Sequence, residues 1–139
     1  MNFAELLTDL TSQYNAIIRR AASDLNLSIS QAFHLLTIPT NGITMSKLAQ
    51  KLGLDTSTLT RNIQKLEIMG LIKRESDPYD KRVQMTVLTN SGINIAEALE
   101  EKLNQHNYLI LNKIDLDTQQ NLIDLLEKLV WSIDCYRQN

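Results

Sequence analysis

The chain has 139 residues, 43% of them hydrophobic and 22% charged, a size and balance that fit one globular domain and exclude a natively unfolded chain. A single cysteine, Cys135, excludes an internal disulfide and a multi-cysteine zinc site, and suits a reducing, cytoplasmic setting. The formal net charge of −2 is unevenly spread: Thr44 to Thr89 hold eight Lys/Arg against five Asp/Glu, and the remainder six against eleven, so a basic middle lies between acidic ends.

No leader or membrane span is expected. The opening MNFAELLTDL carries acids where a signal peptide carries cations. The richest apolar run, Leu122 to Ile133, is broken by Asp124, Glu127 and Lys128. From Phe3 to Leu25, the residues Phe3, Leu6, Leu7, Leu10, Tyr14, Ile17, Ile18, Ala21 and Leu25 recur at helical spacing and predict a long amphipathic helix. Ser28 or Ser30 can cap a second helix carrying Ala32, Phe33, Leu35 and Leu36, stopped by Pro39 and Gly42. Thr44 caps a short third helix with Met45, Leu48, Ala49 and Leu52 inward, ended by Gly53. Asp55 caps a fourth, with Leu59, Ile63, Leu66 and Met69 inward, ended by Gly70.

The period then changes. Leu71 to Glu75 and Arg82 to Leu88 read as two strands, the second alternating through Val83, Met85 and Val87, with a polar turn from Ser76 to Lys81 between them. Thr89 caps a fifth helix with Ala96, Leu99, Leu103, Ile110 and Ile114 in register. Asp117 with Gln120 resembles a capping box for a last helix through Leu122, Leu125, Leu126, Leu129, Ile133 and Tyr136. The fold class is therefore mainly α with a small β-hairpin wing. Residues 30–89 read as a winged helix-turn-helix lobe, and residues 1–27 and 90–139 as a helical dimerisation region, all within a single domain spanning 1–139. The terminal helices carry more apolar surface than a small domain readily buries alone, which favours self-association over packing within one chain.

In a helix-turn-helix the second helix enters the major groove of DNA. Here the face opposite Leu59, Ile63 and Leu66 carries Ser57, Thr58, Thr60, Arg61, Gln64 and Lys65, all hydrogen-bond donors and none acidic. Arg and Lys suit guanine O6 and N7, Gln suits adenine N6 and N7, and Ser or Thr serve bases or phosphates. A polar helix face is usually only solvated, but the basic hairpin that follows favours the DNA-binding reading. Lys73, Arg74, Lys81 and Arg82 surround that hairpin, whose tip suits the adjacent minor groove, and Asp80 can orient the Arg82 guanidinium.

These residues form a run, LAQKLGLDTSTLTRNIQKLEIMGLIKRESDPYDKRVQMTVLTNSG, that resembles the central segment of the MarR family of bacterial and archaeal regulators. The likeness rests on LGLD-x-STLTR, KLE-xx-GLI, the D-P-x-D-x-R wing and LT-xx-G, and covers about a third of the chain. It implies a pseudo-two-fold, roughly triangular homodimer with interlocked terminal helices, bound to double-stranded DNA. Ser57, Thr58, Thr60, Arg61, Gln64 and Lys65 would lie in the major groove and Arg82 at the minor groove. Two positions depart from the pattern. Asn62 stands where the family usually has an apolar residue, and Lys81 replaces a common Arg, keeping the charge but losing the bidentate fork.

The resemblance further implies a small anionic or phenolic effector held between the dimerisation helices and the DNA-binding lobe. Tyr14 and His34 are the candidates, although partly buried core positions explain each more simply, as they do His106. Cys135 lies in the last helix, whereas the family's oxidant-sensing branch keeps its cysteine in the first, so redox sensing is not expected. Neither a metal nor a cofactor is expected, since two His and one Cys far apart make no recognisable site. An enzyme is not expected either, for lack of a phosphate loop, a nucleophile elbow or a nucleophile–His–acid set. The competing reading is a winged-helix module that binds protein rather than DNA.

Overall fold

The computed structural model describes residues 1–138. In chain order the elements are α1 (Phe3–Asp24), α2 (Ile29–Thr37), β1 (Ile43–Thr44), α3 (Met45–Leu52), α4 (Thr56–Ile68), β2 (Ile72–Ser76), β3 (Gln84–Leu88), α5 (Asn90–Leu111) and α6 (Leu116–Arg137). Residues Met1–Leu103 make one compact unit, and the chain from Asn104 onward makes a second.

Local chemistry explains most helix ends in the first unit. Asn2 and Glu5 form a reciprocal capping box on α1, and Ser28 with Gln31 does the same for α2, deciding between the two serines that could have capped it. Thr44 caps α3 through its side chain, which accepts from Lys47 N–H at 3.1 Å. The α3–α4 turn passes through Gly53 at φ 67°, a left-handed conformation that costs a glycine nothing.

The core of this unit is one cluster. Ile18, Ala21 and Ala22 of α1, Leu35 of α2, Leu48 of α3, Leu59, Ile63 and Leu66 of α4, and Ala96, Leu99 and Leu103 of α5 are all buried in it. The far end of α1 behaves differently from its predicted stripe: Phe3, Leu6 and Leu10 are exposed.

The sheet has three antiparallel strands in the order β1-β3-β2, one more than the hairpin read from sequence. Ile43 pairs with Thr86 and Thr44 with Met85, and the buried Thr86 hydroxyl donates to the Ile43 carbonyl at 2.9 Å. A two-residue strand carries no alternation, and Thr44 serves both as its last residue and as the cap of α3. The hairpin register runs from Ile72 opposite Leu88 to Ser76 opposite Gln84.

Its root is welded to α5. Thr89 N–H donates to the Leu71 carbonyl (3.0 Å), and the Thr89 hydroxyl donates to the Gly70 carbonyl (2.6 Å) while accepting from Gly92 N–H (3.0 Å). The Leu71 carbonyl also lies against Gly92, where an added Cβ would sit only 1.9 Å from its oxygen.

In the second unit, α5 stops at Leu111, so Ile114 falls in the connection rather than on the helix. The cap of α6 is Asp115, which accepts from Thr118 N–H at 3.0 Å, and not Asp117 with Gln120. Gln119 explains the shift, because its amide donates to the Leu111 and Ile114 carbonyls and closes the end of α5. No residue of α6 is buried. Leu125, Leu126, Val130, Trp131, Ile133 and Tyr136 are exposed along it.

Candidate nucleic-acid interface

Helix α4 is a two-faced element. Leu59, Ile63 and Leu66 are fully buried, and Ser57, Arg61, Gln64 and Lys65, at spacings of four, three and one, are exposed on the other side. Thr58 and Thr60 are only half exposed and are locally engaged. Thr60 Oγ1 donates to the Thr56 carbonyl at 2.7 Å, leaving its lone pairs to accept. Thr58 N–H donates to Asp55 Oδ1 at 2.7 Å. That amide, followed by the Thr58 hydroxyl, holds the Asp55 carboxyl below the usual carboxylate range, so the cap of α4 is an anion at neutral pH.

The wing tip is shaped by two aspartates. Asp77 Oδ1 accepts from Tyr79 N–H (2.7 Å) and Asp80 N–H (3.1 Å), folding the chain after β2. Asp80 Oδ1 accepts from both the backbone N–H (3.0 Å) and Nε (3.1 Å) of Arg82, and Oδ2 accepts from Nη2 at 3.3 Å. The pairing with the Arg82 side chain, more than with its backbone, holds the Asp80 carboxyl below its usual range. The Arg82 side chain nevertheless stays 91% exposed, so its guanidinium is aimed without being buried. Lys81 is exposed beside it, and Tyr79, at 97%, is the most exposed large side chain of the tip.

The two cations at the base of the hairpin are arranged differently. Arg74 Nη2 meets Glu67 at 2.9 Å with both side chains largely covered, tying β2 to the end of α4. Lys73 Nζ meets Glu75 at 3.0 Å on the same strand. The tip therefore carries Lys81 and Arg82, and the base carries Lys73 and Arg74. Nothing in the sequence pointed to Glu67 as the partner of Arg74, because the contact crosses from a helix to a strand.

Tyr14, on α1, is half-buried against the core. His34, on α2, is 2% exposed, with Nδ1 at 2.6 Å from the Ser30 carbonyl and Nε2 at 3.4 Å from Asn62 Nδ2. The departure noted at Asn62 thus has a partner. Among the described residues there is no cluster of His, Cys, Asp and Glu able to hold a metal ion, and no helix long and apolar enough to cross a membrane.

Two short helices joined by a tight turn, followed by a twisted hairpin welded to the next helix, define a winged helix-turn-helix protein. Residues 27–83 match the MarR family model. Over 87 residues the chain is 28% identical to the uncharacterised HTH-type transcriptional regulator YdgJ of Bacillus subtilis (strain 168), a match taking in 63% of this chain and about half (53%) of that protein. The MarR protein of Peptoclostridium difficile DA00132 superposes with a TM-score of 0.83 at 25% identity, covering 99% of this chain and 90% of the other. The fold is also that of S. aureus MepR, whose structure is a complex with DNA (TM-score 0.76, 19% identity, 95% and 98% covered). Over residues 27–83, the helix-turn-helix and most of the wing, the chain is similar to the MarR family of transcriptional regulators.

Proposed function

We propose that the protein is a homodimeric regulator that binds a pseudo-palindromic stretch of double-stranded DNA in the cytoplasm and represses transcription by occupying it. The observation that carries this reading is the outer face of α4. Ser57, Arg61, Gln64 and Lys65 stand exposed on that face, which carries no acidic side chain of its own, directly opposite the buried Leu59, Ile63 and Leu66. The carboxylate whose charge Arg61 feels is that of the cap, Asp55. Such a face suits base edges in the major groove, with Thr58 and Thr60 on its flank toward phosphates. Arg82, aimed by Asp80 and flanked by Lys81, suits the narrow minor groove alongside, where negative potential favours Arg. Lys73 and Arg74 add positive charge at the base of the wing.

The dimer is supported by what one chain leaves uncovered. Phe3, Leu6 and Leu10 in the first unit, and Leu125, Leu126, Val130 and Trp131 in the second, are exposed apolar groups at helical spacing. Residues 1–27 and 90–139 are accordingly assigned to dimerisation, and residues 30–89 to DNA contact. A small anionic or phenolic effector enters the proposal only through the family resemblance, with Tyr14 as its candidate contact; His34, the other candidate, is 2% exposed with both ring nitrogens engaged inside the unit.

The test is footprinting on DNA upstream of the protein's own coding sequence. Two protected half-sites roughly one helical turn apart, about 10 bp, are expected from a two-fold dimer. A single asymmetric site would contradict the dimeric mode. A folded dimer that binds no DNA but captures a protein partner would replace DNA contact with protein contact.

A further inference from the structure

His34 lies in the interior of the first unit, yet no buried side-chain nitrogen or oxygen among the described residues lacks a hydrogen-bond partner. The partners of its ring determine its chemistry. Nδ1 sits 2.6 Å from the Ser30 carbonyl, one turn back along α2. A carbonyl only accepts, so Nδ1 carries the proton. Burial lowers the imidazole's pKa, outweighing the Ser30 bond, and keeps the ring neutral near pH 7. Nε2 therefore offers a lone pair, and the group 3.4 Å from it is the amide Nδ2 of Asn62, a donor, on α4.

Asn62 occupies the flank of α4, half-buried between the inward Leu59, Ile63 and Leu66 and the outward Arg61 and Lys65. The inward contacts are hydrocarbon and non-directional, so they fix the depth of the helix better than its rotation. A hydrogen bond from the flank is directional. With side chains reaching ~5–6 Å from a helix axis, a 10° turn moves their ends by about 1 Å. Displacements of that size are enough to spoil a contact geometry that tolerates roughly 0.5 Å.

We infer that His34 and Asn62 form a positioning pair for α4: the imidazole, held as its Nδ1–H tautomer by the Ser30 carbonyl, accepts from the Asn62 amide and sets the rotation of the helix. The aim of Ser57, Arg61, Gln64 and Lys65 follows from that rotation. The inference rests on the reading of α4 as the helix that enters the groove. It also accounts for a polar residue at position 62, since Asn supplies the donor that an apolar side chain lacks.

The experiment uses the full-length protein and labelled duplex from its own upstream region, with Asn62→Leu, His34→Leu and the double variant. Each single variant should lose about two- to tenfold in DNA affinity, the range one ordinary hydrogen bond covers. The double variant should lose no more than either single one, because both remove the same bond. Nitrogen-15 spectra of the histidines in the unbound wild type should show His34 protonated at Nδ1 and bare at Nε2, with the Nε2 signal shifting in Asn62→Leu.

Three results overturn the pair. Wild-type affinity in His34→Leu beside a weakened Asn62→Leu would make Asn62 a direct phosphate contact. Losses that multiply in the double variant would make the two residues independent. A proton on Nε2 would remove the bond itself. Asn62 is only half-buried, so Asn62→Leu is expected to fold and carries the affinity test even where His34→Leu does not. A wild-type protein that binds no duplex at all would end the DNA-binding reading instead, and the nitrogen-15 spectra would still decide the His34–Asn62 bond on their own.

Discussion

Replacing Gly92 by alanine sets two opposing effects against each other. In an unconstrained helix the change is favourable by ~1 kcal/mol, because alanine has less backbone freedom to lose. At position 92 the new methyl would meet the Leu71 carbonyl oxygen at 1.9 Å and its carbon at 2.9 Å, about 1.5 Å inside the 3.4 Å at which ordinary contact begins. The obstacle is backbone, so no rotamer change relieves it. Separating the two also breaks the Thr89 N–H bond to that same carbonyl. Overpacking of this kind costs about 1–3 kcal/mol, and the lost hydrogen bond a further ~0.5–1.5 kcal/mol. Set against the propensity gain, the net loss is about 0.5–3.5 kcal/mol, which lowers Tm by roughly 2–14 °C for a chain of this size.

The assay is thermal unfolding by circular dichroism at fixed protein concentration, since the Tm of the proposed dimer would depend on concentration. Asn94→Ala, exposed on the same helix, serves as the control and should be neutral or slightly stabilising. Because Leu71 joins α4 to β2, Gly92→Ala should weaken DNA binding as well. A Gly92→Ala protein with wild-type or higher Tm would refute the argument that the root of the wing is held by backbone contact.

Other expectations concern the interface and the dimer. Arg82→Ala should weaken DNA binding about tenfold, the order of one lost charge-assisted contact, with Tm unchanged, because its side chain is 91% exposed; wild-type affinity in a folded variant would remove Arg82 from the mechanism. Asp80→Asn should also lower affinity while leaving the charge of Arg82 intact, measured by the same titration. Asp55→Asn should lower Tm at neutral pH. The native Asp55 pKa lies below its unfolded value, so its stabilisation is present above the ordinary carboxylate range and lost as pH falls through the lowered value. The Tm gap between wild type and Asp55→Asn should therefore close on acidification, and a gap constant with pH would contradict this. If the proposed dimer forms through α6, Leu125→Glu combined with Leu126→Glu, at exposed positions of that helix, should leave a folded monomer in sedimentation.

What the sequence made legible was the periodic and the punctuated. Leu59, Ile63 and Leu66 at helical spacing, Asp55 as cap and Gly70 as stop set out α4 and its two faces, although Met69, expected inward, is exposed at its end. The wing followed from the Asp77-Pro78 turn, but β3 begins at Gln84, so Val83 falls in the turn, and the residue buried along it is Thr86 rather than the alternating Met85 and Val87. Contacts between elements were less visible. β1 is too short to alternate, and its pairing with β3 depends on residues more than forty positions away. The Arg74–Glu67 tie and the His34–Asn62 bond join elements whose approach is set by the whole core. The start of α6 was misplaced by two residues because Asp115 and Asp117 are both plausible caps, and only the role of Gln119 at the end of α5 separates them.

The central claim is that the outer face of α4 and the wing together bind duplex DNA, and its most direct measurement is fluorescence anisotropy against the upstream duplex and an unrelated one. Tight, saturable binding of two protomers to the upstream duplex is expected, with much weaker binding to the other. Affinity should fall on the order of a thousandfold between ~50 and ~200 mM salt, as phosphate contacts require. Absence of binding to either duplex at the lower salt, by a protein that is folded and dimeric, would contradict that claim.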